Sequence, residues 1–228
     1  MSRPILLSWS GGKDSAMALQ RLRHDSQWQV AGLVTTITRE YDRISIHGVR
    51  RTILHAQAQS LGLPLIEAAI PAQAGNAIYE AAFAEALTQA NAKTPQLDTI
   101  AFGDLFLRDI RAYRETLVER LGWKANFPLW LEDTGRLARR FIADGNRAII
   151  CCVDTRQLDA SFCGRVFDRD LLDDLPAGCD PCGENGEFHT CVYAGPGWSQ
   201  TLELQRGGSQ LREGRFQYVD LKKSSHLT

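Results

Sequence analysis

One stretch near the start of the chain leaves few folds open to it. Pro4-Ile5-Leu6-Leu7-Ser8-Trp9 is an apolar run of strand length, Ser10-Gly11-Gly12-Lys13-Asp14-Ser15 follows, and Ala16, Leu19 and Leu22 then recur at helical spacing. The pattern is strand, glycine turn, helix. Two adjacent glycines let the backbone turn sharply and approach a ligand, and the first N–H groups of the next helix have no acceptor inside it. With the helix dipole, the Lys13 ammonium and the hydroxyls of Ser10 and Ser15, the segment makes an anion cradle suited to phosphate or pyrophosphate. The plainer alternative is a Gly-Gly turn that only joins a strand to a helix.

The rest of the first half repeats the alternation. A second strand over Val30–Ile37 completes a βαβ unit, whose right-handed crossover makes the sheet parallel. A helix follows in which Ile53, Leu54, Gln57, Ala58 and Leu61 share a face, then a strand over Leu65–Ile70. Residues 77–91 make an alanine-rich helix with an apolar stripe including Ile78, Phe83 and Leu87. A fourth strand over Leu97–Phe102 ends at Gly103-Asp104, the edge where open α/β sheets place their ligands. The helix Asp109–Leu121 is expected to bury Ile110, Tyr113, Leu117 and Leu121, and to pair Arg111 with Glu115. The expected fold is therefore α/β, a doubly wound parallel sheet.

Near Phe127-Pro128-Leu129-Trp130 the alternation gives way, so residues 1–130 read as one domain that carries the anion cradle and 131–228 as a smaller α+β domain. The second half holds a helix over Thr134–Ala143 with Arg136, Arg139 and Arg140, a strand over Arg147–Val153, a short helix over Phe167–Leu175 and a strand over Phe188–Tyr193. Two strand-like runs, Thr201–Gln205 and Arg215–Leu221, flank Gly207-Gly208 and read as a terminal hairpin. The arginine group reads as a solvated face, with a phosphate or RNA contact as the alternative.

Composition excludes some classes of function. With 26 basic against 27 acidic residues, the chain has no broad nucleic-acid footprint, and a nucleic-acid partner is not expected. No apolar run reaches the roughly 18 residues of a membrane helix. The motif strand follows Met1-Ser2-Arg3 directly, which reads as leaving no room for a signal peptide and places the chain in the cytoplasm. All 6 cysteines lie beyond residue 150, and Cys179-Asp180-Pro181-Cys182 is a lone C-x-x-C without the second pair of a four-thiolate zinc site.

The loop at residues 10–15 is not a Walker A sequence, since Lys13 is followed by Asp14. It resembles the Ser-Gly-Gly-x-Asp-Ser pyrophosphate loop of the ATP pyrophosphatase (HUP-like) superfamily. Four more stretches narrow the resemblance: Ile46-His47-Gly48-Val49-Arg50, Phe102-Gly103-Asp104, Pro128-Leu129-Trp130 and Cys182-Gly183-Glu184-Asn185-Gly186-Glu187-Phe188-His189-Thr190. Together they are similar to the diphthine ammonia ligase family, in a compact bacterial-type form. Where that family carries Gly-Glu-Gly-Gly-Glu, an aromatic, Glu and Thr, this chain has Asn185 and His189 at two positions.

The resemblance implies an amide ligase that adenylates a carboxylate with ATP and Mg²⁺, releases pyrophosphate, and lets ammonia displace AMP. It implies ATP binding by Ser10, Gly11, Gly12, Lys13, Asp14, Ser15, His47, Gly48 and Gly103. It implies Mg²⁺ at Asp14 and Asp104, and catalytic roles for Lys13, Asp104, Glu184 and Glu187. Structural alternatives stay open: Asp14 can cap a helix, Asp104 can end a turn, and His47 and His189 can be ordinary loop residues. The acceptor carboxylate, the ammonia source and a homodimer are left open. Two rival functions stand beside this one: a tRNA thiolase of the same superfamily using Cys179, Cys182 and Cys191, and a nucleotide-binding regulator without turnover.

Overall fold

The structure, a computed structural model, describes residues 2–45 and 47–224. Ile46, part of one motif above, lies outside them. The chain divides into two compact units: residues 1–10, 14–45 and 63–131 form the first, and residues 11–13, 46–62 and 132–228 the second.

The first unit is built on β1 (Arg3–Ser8), β2 (Trp28–Thr38), β3 (Arg43–Ile44), β4 (Leu65–Ile70), β5 (Thr99–Ala101) and β6 (Lys124–Asn126). Helices α1 (Lys13–His24), α3 (Asn76–Lys93) and α4 (Arg108–Arg120) alternate with the strands, and α2 (Arg51–Leu61) belongs to the second unit. The parallel strands run β4-β2-β1-β5-β6, with the short antiparallel β3 on the end of β2. This is the doubly wound order, and it reverses between β1 and β5. Leu6, Ile66, Ile100 and Phe102 share a cluster with Phe83 and Leu87 of α3 and with Leu117 and Val118 of α4. Ile5 and Leu7, which alternation turns to the opposite face, are fully buried too, so both faces of the sheet are covered.

Two side chains depart from the sequence reading. Ile78 and Ile110 are 50% and 42% exposed. Each lies in the first turn of its helix, ahead of the residues that reach the core. Strand β6 was not anticipated: three residues with polar Lys124 and Asn126 carry no alternation, and its parallel pairing with β5 alone defines it.

In the second unit, β7 (Arg147–Asp154), β8 (Phe188–Ala194), β9 (Leu204–Arg212) and β10 (Phe216–Lys223) form an antiparallel sheet in the order β8-β7-β10-β9. It is accompanied by α2, α5 (Thr134–Ala143) and the short α6 (Arg169–Asp174). The terminal hairpin turns at Glu213-Gly214, both with positive φ, and not at Gly207-Gly208. Those glycines lie inside β9, where the pairing register shifts between Val219 and Leu221, and a Cβ on Gly207 would sit 3.1 Å from the Asp220 carbonyl. The glycine accommodates an irregular ladder instead of making the turn.

Candidate functional site

In the first unit, the carboxyl ends of β1 and β5 frame the point where strand order reverses. Gly103 lies against the start of α1: a Cβ there would stand 3.0 Å from the Asp14 carbonyl carbon and 3.1 Å from the Ser15 nitrogen. A larger residue would push the two segments apart, so the close approach requires glycine. This packing brings Ser10, Asp14, Ser15, Gly103 and Asp104 to one sheet edge, where the Ser10 hydroxyl donates to Ser15 Oγ at 3.3 Å.

Asp104 is not a bare carboxylate. Its Oδ2 pairs with Arg114 Nε at 2.8 Å, and the Arg114 guanidinium also lies 4.5 Å over the Phe102 ring. Tyr79 joins the group through hydrogen bonds with Thr36 and Arg114, while burial, the largest influence, pushes its phenol above the usual range. Arg114 and Tyr79 were not anticipated, because nothing local marks them off from the other polar residues of their helices. Arg111 pairs with Glu115 at 2.7 Å as the spacing predicted. It also stacks on Phe127 and Trp130 at 4.8 and 4.7 Å, which accounts for the aromatics around Pro128. Thr35, buried on β2, has a hydroxyl with no hydrogen-bond partner among the described residues.

Mg²⁺ favours one or two carboxylates together with phosphate oxygens and water. Asp14 and Asp104, whose segments meet at Gly103, fit that set, with Oδ2 of Asp104 already engaged by Arg114. Among the described residues no three His, Cys, Asp or Glu side chains converge as an all-protein metal cage.

In the second unit, Gly11–Lys13 are riveted in place. Gly11 has φ +75°, its carbonyl accepts from Val192 N at 2.8 Å and Gln57 Nε2 at 3.1 Å, and Gln57 also reaches the Val192 carbonyl at 2.7 Å. A Cβ on Gly11 would meet Gln57 Oε1 at 2.7 Å. Gln57, predicted on a buried face, is fully buried for this purpose. One N–H of the cradle is already used: Lys13 N donates to Thr190 Oγ1 at 3.0 Å. Lys13 is itself buried, with Nζ 5.6 Å from the Phe188 ring centre. His189 lies against His47, ring centres 4.6 Å apart and planes tilted by 43°, and burial, with the Lys13 charge second, pulls its imidazole down to about 4, so it is neutral at pH 7. Gly48 lies under the Tyr218 ring, which a Cβ would approach to 2.7 Å.

The glycine loop before β8 is organised by Asp180. Its Oδ1 accepts from the Cys182 and Glu184 nitrogens at 2.8 and 3.2 Å, its Oδ2 from the Thr134 hydroxyl at 2.7 Å, and its own N–H donates to Glu187 Oε1 at 2.9 Å. Asn185 Nδ2 donates to the same Oε1 at 3.1 Å. Glu187 is 3% exposed, and its second oxygen, Oε2, has no hydrogen-bond partner among the described residues. A buried acceptor left so costs about 1–3 kcal/mol, more if charged. Glu184 is half-buried, with its backbone tied to Asp180. The thiols offer little nucleophilic character: burial, then Glu187 and Asp180, push Cys179 up to about 12, burial lifts Cys191 to about 12, and the Cys182 thiol donates to the Thr134 carbonyl.

The sequence matches the family model described as "Diphthamide synthase N-terminal domain" over residues 3–125 and that described as "Diphthamide synthase C-terminal domain" over residues 133–227. It is 25% identical over 215 residues to the diphthine–ammonia ligase of Schizosaccharomyces pombe. That match takes in 86% of this chain and 35% of the relative, so the chain spans about a third of that protein's length.

Proposed function

Because this chain belongs to the diphthamide synthase family, we propose that it is an ATP-dependent amide ligase that adenylates a carboxylate and transfers ammonia to it, forming AMP and pyrophosphate. The single observation that carries the reading is the buried Glu187 carboxylate with its unanswered Oε2, in the same compact unit as Lys13 and Thr190. The first step joins a carboxylate oxygen of the acceptor to the α-phosphorus of ATP and breaks the bond to the β-phosphate. The Lys13 ammonium and the loop N–H groups of residues 11–15, apart from the Lys13 N–H that Thr190 holds, would receive the charge that builds on the departing pyrophosphate, and fixed donors of this kind are commonly the largest catalytic contribution. The hydroxyls of Ser10 and Ser15, 3.3 Å apart, would add donors for the phosphates, and the orphan Thr35 hydroxyl would partner the adenine edge along β2. Mg²⁺, held by Asp14 and Asp104, would neutralise phosphate charge.

In the second step the ammonia nitrogen attacks the acyl carbon, the acyl–phosphate bond breaks, and AMP leaves. Glu187 Oε2 accepts the proton that the attacking nitrogen sheds, and Glu184, half-buried on the same loop, orients the acceptor. Neutral His189, with the His47 ring beside it, walls the Lys13 end without adding its own positive charge. Diphthine, the acceptor in the relative's name, is the first carboxylate to test. The direct assay is carboxylate-dependent exchange of labelled pyrophosphate into ATP, with nucleotide products separated by chromatography after ammonium is added. The expected products are AMP and pyrophosphate, and ADP as the main product would refute adenylation. Glu187→Gln should keep ATP binding and the exchange reaction while losing amide formation, since binding and ammonia attack draw on different residues; full amide formation in that variant would remove Glu187 from the mechanism.

A further inference from the structure

The geometry points to a second anion site in this chain, on α5 and α6: a pocket for a free phosphorylated ligand of nucleotide size. Arg136, Arg139 and Arg140 follow one another at i, i+3 and i+4, so they leave α5 on one face. With Arg169 of α6 they line a cavity of ≈ 630 Å³. Arg140 is loosely held by Glu132 and Asp144, at 3.6 and 3.9 Å. Arg136, Arg139 and Arg169 have no side-chain ion pair among the described residues. Asp173 is the one acid in the wall. The face expected from sequence to be solvated is therefore concave, and three of its four guanidiniums, those of Arg136, Arg139 and Arg169, have no ion pair among the described residues.

Chemistry selects the ligand. A carboxylate can spend both its oxygens on one guanidinium fork, whereas the terminal oxygens of a phosphate monoester can accept from more than one fork at once. Leu172, Ala143 and Pro181 supply an apolar wall for the uncharged part of the same molecule. The volume lies within the range of about 300–1,000 Å³ typical of small-molecule pockets. An RNA strand would call for an extended basic stripe, and a chain with 26 basic and 27 acidic residues has no excess of positive charge to form one. None of the lining residues belongs to the loop at residues 11–15, and the proposal does not depend on the ligase reading.

Backbone amide shift mapping of the full chain tests it, with inorganic phosphate and uridine 5′-monophosphate as probes. The expected result is a saturable response of the amides of residues 136–140 and 169–173, tighter for the nucleotide. Affinity there should weaken by about tenfold or more in Arg139→Gln/Arg169→Gln, whose exposed side chains can change without touching the core. A response confined to residues 11–15, none at α5 and α6, unchanged affinity in the double variant, or a response at α5 and α6 to single-stranded RNA but not to the mononucleotide would overturn the proposal. The wild-type map alone decides the location, so the test stands even if the variant fails to fold.

Discussion

Thr190 shows how much one hydroxyl can organise. Its Oγ1 takes the Lys13 N–H, so the first donor of α1 is fixed before any ligand arrives, and with the Gln57 rivet on the Gly11 carbonyl the loop is held in its turned conformation. Thr190 is 2% exposed, which means that water does not readily replace it. Thr190→Val keeps the shape and removes the acceptor. It should cost about 1–3 kcal/mol of stability, the price of leaving a buried donor without a partner. Urea unfolding would read this as a lower midpoint at unchanged m, and ATP titration should show weaker binding; a variant with wild-type midpoint and affinity would show that the hydroxyl is incidental.

Between elements, a bidentate ion pair joins the end of β7 to the residue that precedes β10. Asp154, 1% exposed, is gripped by the Arg215 fork, including Nε at 2.9 Å, and also accepts from Arg156 N and Gln157 Nε2 at 3.1 and 3.0 Å. The Arg215 bonds, more than the Gln157 and Arg156 bonds, hold its carboxyl far below the ordinary 3.8. A carboxyl depressed in the folded state contributes stability that is present above its unfolded value and is lost as pH falls below it. Arg215 is 38% exposed, which screens the pair, so Asp154→Asn should cost about 1–3 kcal/mol at pH 7, short of a fully buried pair. Melting temperatures of variant and wild type should converge as the pH drops below 3.8. A gap that persists unchanged in acid would assign the loss to packing.

For the molecule as a whole, His189 sets an earlier acid limit. Its imidazole titrates near 4 when folded against 6.5 unfolded. Between those values the unfolded chain binds the proton and the native chain does not, so stability rises with pH across that window and is lost as pH falls from 6.5 toward 4. The size is on the order of 1–3 kcal/mol. His189→Gln should flatten the stability profile in that window and leave the later loss from Asp154 in place. An unaltered slope in the variant would move the effect to other groups.

The α/β alternation, the glycine turn after β1 and the helical arginine spacing of α5 are legible in the residues alone. Each of these depends on the period of apolar residues or on a backbone angle, and both act within a few residues. Tertiary structure alone decided who answers whom. Thr190 meets Lys13 across 177 positions, Gln57 meets Val192 across 135, and Arg114 is turned onto Asp104. Strand β6 exists through its ladder with β5, and the last hairpin turns at Glu213-Gly214 because the register shift opposite β9 takes up Gly207. The same holds for function: the motif marked Glu187 as a candidate, but only burial beside Asp180 and Asn185 leaves one of its oxygens unanswered. A hydrogen-bond partner or a cavity wall is a property of distant segments brought together, and local periodicity carries no record of that meeting.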